Sequence, residues 1–158
     1  MEARAHAHEY ASILIAGPEP AQVRFHHHDH LIVTFDDVEN PRWTEYNAPT
    51  LEQVRQMVTW GRGRQNLLVV CNSGVSRSTA AAWGVAIANG WNAEEAYSAL
   101  RKRHPSSAFA GWRYTRQFSP NELMILHLEK IFGYRDGELL EMHRKSQALN
   151  PWRPARPI

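Results

Sequence analysis

The chain has a single cysteine in 158 residues. One thiol excludes an internal disulfide framework and any CxxC redox or zinc pair. It points to a reducing, cytoplasmic setting and leaves Cys71 free for chemistry. No run of about 18 apolar residues occurs, so no membrane span is expected. Met1 to Tyr10 has no apolar stretch, so it is not expected to act as a signal peptide. Net charge is small: 18 Lys and Arg against 16 Asp and Glu leave +2. Charge therefore names neither nucleic acid nor a membrane as a partner. No internal repeat or interior linker interrupts the chain. What is present is an ordinary hydrophobic fraction, 43%, in a length that suits one domain with one core. The expected domain spans 1–149. Residues 150–158 hold three prolines and two arginines and form a tail expected to be extended or mobile.

Three short apolar runs read as buried strands: Ser12 to Ala16 before Gly17-Pro18, Leu31 to Phe35, and Leu67 to Val70. Between the last two, Thr50 and Gln53 form a capping box ahead of Leu51, Val54, Met57 and Val58, with Gly61 as the stop. An Ala-rich helix is expected from about Arg77 to Asn89, closed by Gly90. It is apolar nearly all round, as a buried helix should be. The second half reads as helical. Asn92 and Glu95 cap one helix that stops before Pro105. Ser119, Pro120 and Glu122 open another, with Leu123, Met124, His127, Leu128 and Ile131 on one face and Gly133 at its end. Asp136 opens a short last helix through about Lys145. Strand, strand, helix, strand, helix predicts an α/β three-layer sandwich with a mostly parallel central sheet flanked by helices. Ligands of such sheets bind beyond the carboxyl ends of the strands. Cys71 and the Asp36-Asp37 pair both sit at such ends.

The segment after the third strand reads Cys71-Asn72-Ser73-Gly74-Val75-Ser76-Arg77-Ser78. A helix N-terminus has unpaired N–H groups and a partial positive charge. A loop wrapping into it can turn the amides of Asn72, Ser73, Gly74, Val75 and Ser76 toward one anion. Gly74 supplies backbone freedom that other residues lack. Arg77 can grip two phosphate oxygens through its planar fork. Cys71 lies at the base, where the same donors would stabilise a thiolate. One loop can thus create a nucleophile and hold the group it attacks.

This segment resembles the signature loop of the cysteine-based protein tyrosine phosphatases, C-x-x-G-x-x-R-S/T. The wider chain, over roughly residues 12 to 140, is similar to the compact dual-specificity type and closest to small bacterial predicted protein tyrosine phosphatases. The phrases Gly74-Val75-Ser76-Arg77-Ser78-Thr79-Ala80-Ala81-Ala82 and Ser119-Pro120-Asn121 carry that likeness. The resemblance implies a hydrolase in which Cys71 forms a phosphocysteine intermediate and Arg77 with the loop amides stabilises the transition state. It implies that Ser78 helps the sulfur leave, that Asn121 braces the phosphate loop, and that no metal or other cofactor is needed. It also implies an aspartate acid some thirty-odd residues before the cysteine. Asp37, 34 positions upstream, fits the phrase Phe35-Asp36-Asp37-Val38 best. Asp36 is the alternative and Glu39 a more distant one. The family usually has histidine where this chain has Val70.

Other features have plainer readings. The run His26-His27-His28-Asp29-His30 resembles metal ligands, but a solvated or edge segment accounts for it better and no metal site is assigned. His127 reads as a satisfied core histidine, and Trp60, Trp83 and Trp91 as core or helix-end packing. The stretch 108–117 looks like an insertion relative to the family. Its Phe109, Trp112, Arg113, Tyr114 and Arg116 fit either a substrate mouth, a stacking surface for nucleic acid, or a pinned surface loop.

Three functions compete. The first is a protein phosphatase acting on phosphotyrosine, with phosphoserine or phosphothreonine as further substrates. The second is a phosphatase for RNA 5′ ends or nucleotides; inositol polyphosphates are disfavoured because residues 72–76 hold no Lys or Arg. The third is a phosphate reader that never turns over, favoured only by Val70.

Overall fold

In a computed structural model, residues 7–18, 29–104 and 118–149 are described below. A 3-10 turn, Ala7–Glu9, precedes strand β1, Ser12–Gly17. Strand β2 is His30–Thr34, helix α1 Leu51–Gly61 and strand β3 Leu67–Val70. Helices α2 (Arg77–Ala88), α3 (Ala93–Arg103), α4 (Glu122–Phe132) and α5 (Glu138–Leu149) follow. Among the described residues no helix is long and apolar enough to cross a membrane. The stretch 108–117, with Trp112, Arg113, Tyr114 and Arg116, lies outside the described residues. So do His26 to His28 and the tail 150–158. His30 opens β2 and is exposed.

The three strands form one parallel sheet in the order β2-β1-β3. Strand β1 takes the centre, where all six of its residues are buried. Its register pairs Gly17 with Thr34 and Ile15 with Val70. Parallel direction therefore brings Gly17, the Asp36-Asp37 turn and Cys71 to one edge. Strand alternation splits the core in two. Leu14, Ala16 and Val33 face a large cluster that holds buried apolar residues from all five helices. Ile13, Ile15 and Val70 face the other side, with Ala7, Ile32 and Leu68 beside them. The α/β class and parallel sheet match expectation. Among the described residues the main helix contacts with the sheet are made by α1 and α2, and α3, α4 and α5 pack chiefly on other helices.

Helix α1 begins as its capping box requires: Thr50 Oγ1 accepts the Gln53 amide at 3.2 Å, and Gln53 Oε1 accepts the Thr50 amide at 2.9 Å. Helix α2 is buried on nearly every side, including Trp83, whose indole N–H donates to the Ala93 carbonyl at 2.9 Å. Helix α1 ends at Gly61 as expected, and a Cβ there would stand 2.5 Å from Val85, so its smallness also lets α1 approach α2. The positive φ of the turn falls on Gly63 at 76°. Two boundaries correct the sequence reading. Ser119 does not cap α4. Its amide is taken by the Val75 carbonyl at 3.1 Å, which holds the chain extended until Asn121 caps the helix instead. Finally, α5 starts two residues beyond Asp136 and ends at Leu149. The buried Glu129 carboxylate of α4 accepts the Gly137 and Leu140 amides at 2.8 and 3.0 Å, so α5 is capped from a neighbouring helix. Trp91 is 51% exposed and outside the core; it stands just past the end of α2, where its amide donates to the Ala86 carbonyl at 3.2 Å, which leaves the helix-end alternative. Trp60 is partly buried under the Arg64 guanidinium, 3.8 Å from its ring centroid. His127 is half-buried. Its Nε2 reaches the Pro49 carbonyl at 2.9 Å, whereas its Nδ1 is buried without a partner.

Gly84 carries a stability prediction. A Cβ there would meet Leu128 Cδ2 at 2.5 Å and Val58 Cγ2 at 2.9 Å, and both neighbours are buried. Overpacking of this kind costs about 1–3 kcal/mol, and the better helix propensity of alanine offsets at most ~1. Gly84→Ala is expected to lower the urea midpoint, with a net loss of about 1–2 kcal/mol. An unchanged midpoint would mean that α1 and α4 separate freely.

Candidate active site

The loop between β3 and α2 starts where the sheet ends. Cys71 is half-buried, Asn72 and Ser73 are exposed, and Arg77 and Ser78 are buried as α2 begins. Gly74 takes φ 69°, a left-handed conformation that turns the loop back on itself. Its amide then donates to Cys71 Sγ at 3.2 Å. The Ser78 hydroxyl stands 3.1 Å from the same sulfur. Burial pushes the Cys71 thiol up. The Ser78 hydroxyl, the Ser78 and Gly74 amides and the Arg77 charge together outweigh it and hold the thiol below its ordinary value.

Arg77 is only 4% exposed. Its Nη1 donates to the Phe35 carbonyl at 3.1 Å, which ties α2 to the end of β2. Its Nε lies 3.7 Å from Asp37 Oδ2, too far for a hydrogen bond, and has no hydrogen-bond partner. A buried guanidinium with so loose a counter-charge is costly by several kcal/mol. Gly17, at the end of β1, lies beside this group: a Cβ there would make ordinary contact with Arg77 Nη1 and Asn72 Oδ1, each 3.9 Å away.

The two aspartates part as alternation requires. Asp37 faces the loop. Its Oδ1 accepts the Ser76 hydroxyl at 2.7 Å and the Asn121 amide group at 3.0 Å. The Ser76 hydroxyl is turned toward Asp37 and takes no helix amide, so α2 has no side-chain cap and its positive N-terminal end is left uncapped. Asp36 turns to Asn47, exchanging one bond through its carboxylate at 2.9 Å and one through its amide at 2.8 Å. It closes the 36–47 loop. Glu39 accepts the Glu122 amide at 3.2 Å at the start of α4.

Asn121 is the joint of this assembly. Its side chain caps α4 through the Met124 amide at 3.0 Å and donates to Asp37 and to the Val38 carbonyl at 3.3 Å. Its own amide donates to the Ser76 carbonyl at 3.3 Å. Beside Asp37 a cleft of about 530 Å³ opens, walled by Asp37, Glu39, Asn40 and Trp43 on one side and Val75, Ser76 and Ser119 on the other.

Cys71, Arg77, Ser78, Asp37 and Asn121 thus come together, and Asp36 and Glu39 serve neighbouring backbone. Three participants were not picked out from sequence. Thr79 fastens the loop, its hydroxyl standing 2.6 Å from the Val75 carbonyl and 2.8 Å from that of Ser76. Gly17 had one legible signal, its place at a strand's carboxyl end. His104 had none: its Nε2 lies 2.6 Å from the Gly74 carbonyl, 30 residues away along the chain. No protein-family model, no curated protein and no solved structure matches this chain.

Proposed function

We propose that this chain is a phosphate monoester hydrolase working through a phosphocysteine, with phosphotyrosine in proteins as its main substrate and phosphoserine or phosphothreonine as others. The observation that carries the reading is the pairing, on one loop, of an acidified thiol with a buried and under-partnered arginine at an uncapped helix N-terminus. A phosphate dianion answers all three needs: it accepts from the guanidinium, from the loop amides and from the helix end. Cys71 Sγ attacks phosphorus, the bond from phosphorus to the leaving oxygen breaks, and Asp37 gives that oxygen its proton. Water then attacks the phosphocysteine, Asp37 takes the proton, and the sulfur leaves with the Ser78 hydroxyl donating to it. Inorganic phosphate is released.

The cleft on the Asp37 side supports an aryl leaving group. Trp43 offers a ring at its wall, and Glu39 with Asp37 gives it an acidic lining that repels polyanions such as nucleotides. A protein tyrosine phosphatase-like three-layer architecture and a cytoplasmic setting belong to the same proposal. Quenching with acid during turnover of an aryl phosphate is expected to trap one phosphoryl group on Cys71, read by mass spectrometry of the peptide. Phosphate found on another residue, or turnover with Cys71 alkylated, would overturn the mechanism.

A further inference from the structure

The two ends of Gly74 are engaged on opposite sides. Its amide donates to Cys71 Sγ at 3.2 Å. The carbonyl faces His104 Nε2 at 2.6 Å. A carbonyl can only accept, so Nε2 carries the proton in whichever charge state the ring adopts. His104 sits at the C-cap of α3, where its own amide donates to the Leu100 carbonyl at 2.9 Å. Its ring meets Phe118 edge-on at 5.7 Å, and Phe118 meets the buried Tyr97 edge-on at 5.1 Å. The imidazole is therefore braced by the core, and Gly74, in a conformation with few steric restraints of its own, is held from outside.

We infer that His104 is a positioning residue for the nucleophile: by holding the Gly74–Val75 peptide through its carbonyl it limits rotation about Gly74, so that the N–H of the Ser73–Gly74 peptide stays aimed at the Cys71 sulfur. Gly74 has no side chain to pack, and among the described residues a Cβ at that position would meet nothing within 4 Å. Without the imidazole, rotation of the flanking peptides meets little resistance and the amide leaves the sulfur. The hydrogen bond to His104 replaces the packing that the glycine lacks. The inference concerns the loop of the proposed phosphatase, but its readout does not require turnover.

Cys71 is the only thiol in the chain, so alkylation by iodoacetamide reports on it alone. The rate followed against pH gives the thiol's titration midpoint. Two variants of the full chain separate the donor from the packing. His104→Leu keeps an apolar contact for Phe118 and removes the donor; His104→Gln keeps a donor at similar reach. An amide bond to a charged sulfur is worth about one pH unit of midpoint. The midpoint of His104→Leu is expected to rise by about that much, so that the thiolate fraction at neutral pH or below falls up to about tenfold. His104→Gln is expected to stay within about a third of a unit of the parent chain. Equal midpoints in the Leu variant and the parent, or equal shifts in both variants, would overturn the inference. Normal aryl phosphate turnover with an unmoved midpoint sinks His104 alone. A moved midpoint in a chain that hydrolyses nothing sinks the phosphatase reading and leaves His104 standing.

Discussion

Cys71→Ser is expected to abolish hydrolysis of an aryl phosphate while inorganic phosphate still binds within about threefold of the parent affinity. The loop's donors hold the thiol below its ordinary value. A serine hydroxyl starts several units higher and stays protonated, so the same loop cannot ionise it. The binding donors, Arg77 and the loop amides, are untouched by the change. Turnover by a colorimetric assay and phosphate binding by calorimetry test both halves. Retained turnover in the serine variant would refute the thiolate mechanism. The sign of the pH dependence follows from the same shift. Thiolate is present above the Cys71 pKa and lost below it. A lowered pKa therefore moves the acid limb of kcat/KM toward lower pH than an ordinary thiol would give. His104→Leu should move that limb back upward.

Asp37→Asn is expected to slow turnover about 10²-fold or more with an alkyl phosphate, and far less with a nitrophenyl phosphate, whose leaving oxygen needs no proton. Asparagine keeps an acceptor for the Ser76 hydroxyl and the Asn121 amide group, so the loop's bracing should survive. The split between substrates then reads proton donation rather than geometry. Equal losses with both substrates would mean that Asp37 acts only by holding Ser76 and Arg77. Asp36→Ala should weaken the bonds to Asn47 and loosen the 36–47 loop, with a smaller effect on rate. A larger loss there than at Asp37 would reassign the acid.

Local order was readable because it depends on neighbours in the chain. The apolar run Ser12 to Ala16 becomes the buried central strand. Thr50 and Gln53 form their capping box, and Asn92 caps α3 through the Glu94 and Glu95 amides. The loop from Cys71 to Ser78 is local too. Eight residues suffice to bring a thiol, a positive-φ glycine and a serine hydroxyl together, since the strand end and the helix start fix both ends of the loop. Even the opposite aims of Asp36 and Asp37 follow from alternation along one extended segment.

Contacts between distant segments were not readable. Ser119 has a good capping residue's chemistry, yet the Val75 carbonyl takes its amide and the helix waits for Asn121. Glu129 closes the start of α5 from another helix, where Asp136 had the right spacing. Gly61 and Gly84 owe their smallness to the close approach of α1, α2 and α4. His104 and Gly74 meet because α3 ends beside the loop. Propensity and spacing govern hydrogen bonds closed within a turn or two. Which carbonyl, ring or carboxylate arrives from elsewhere depends on how whole helices pack, and no short window of residues encodes that.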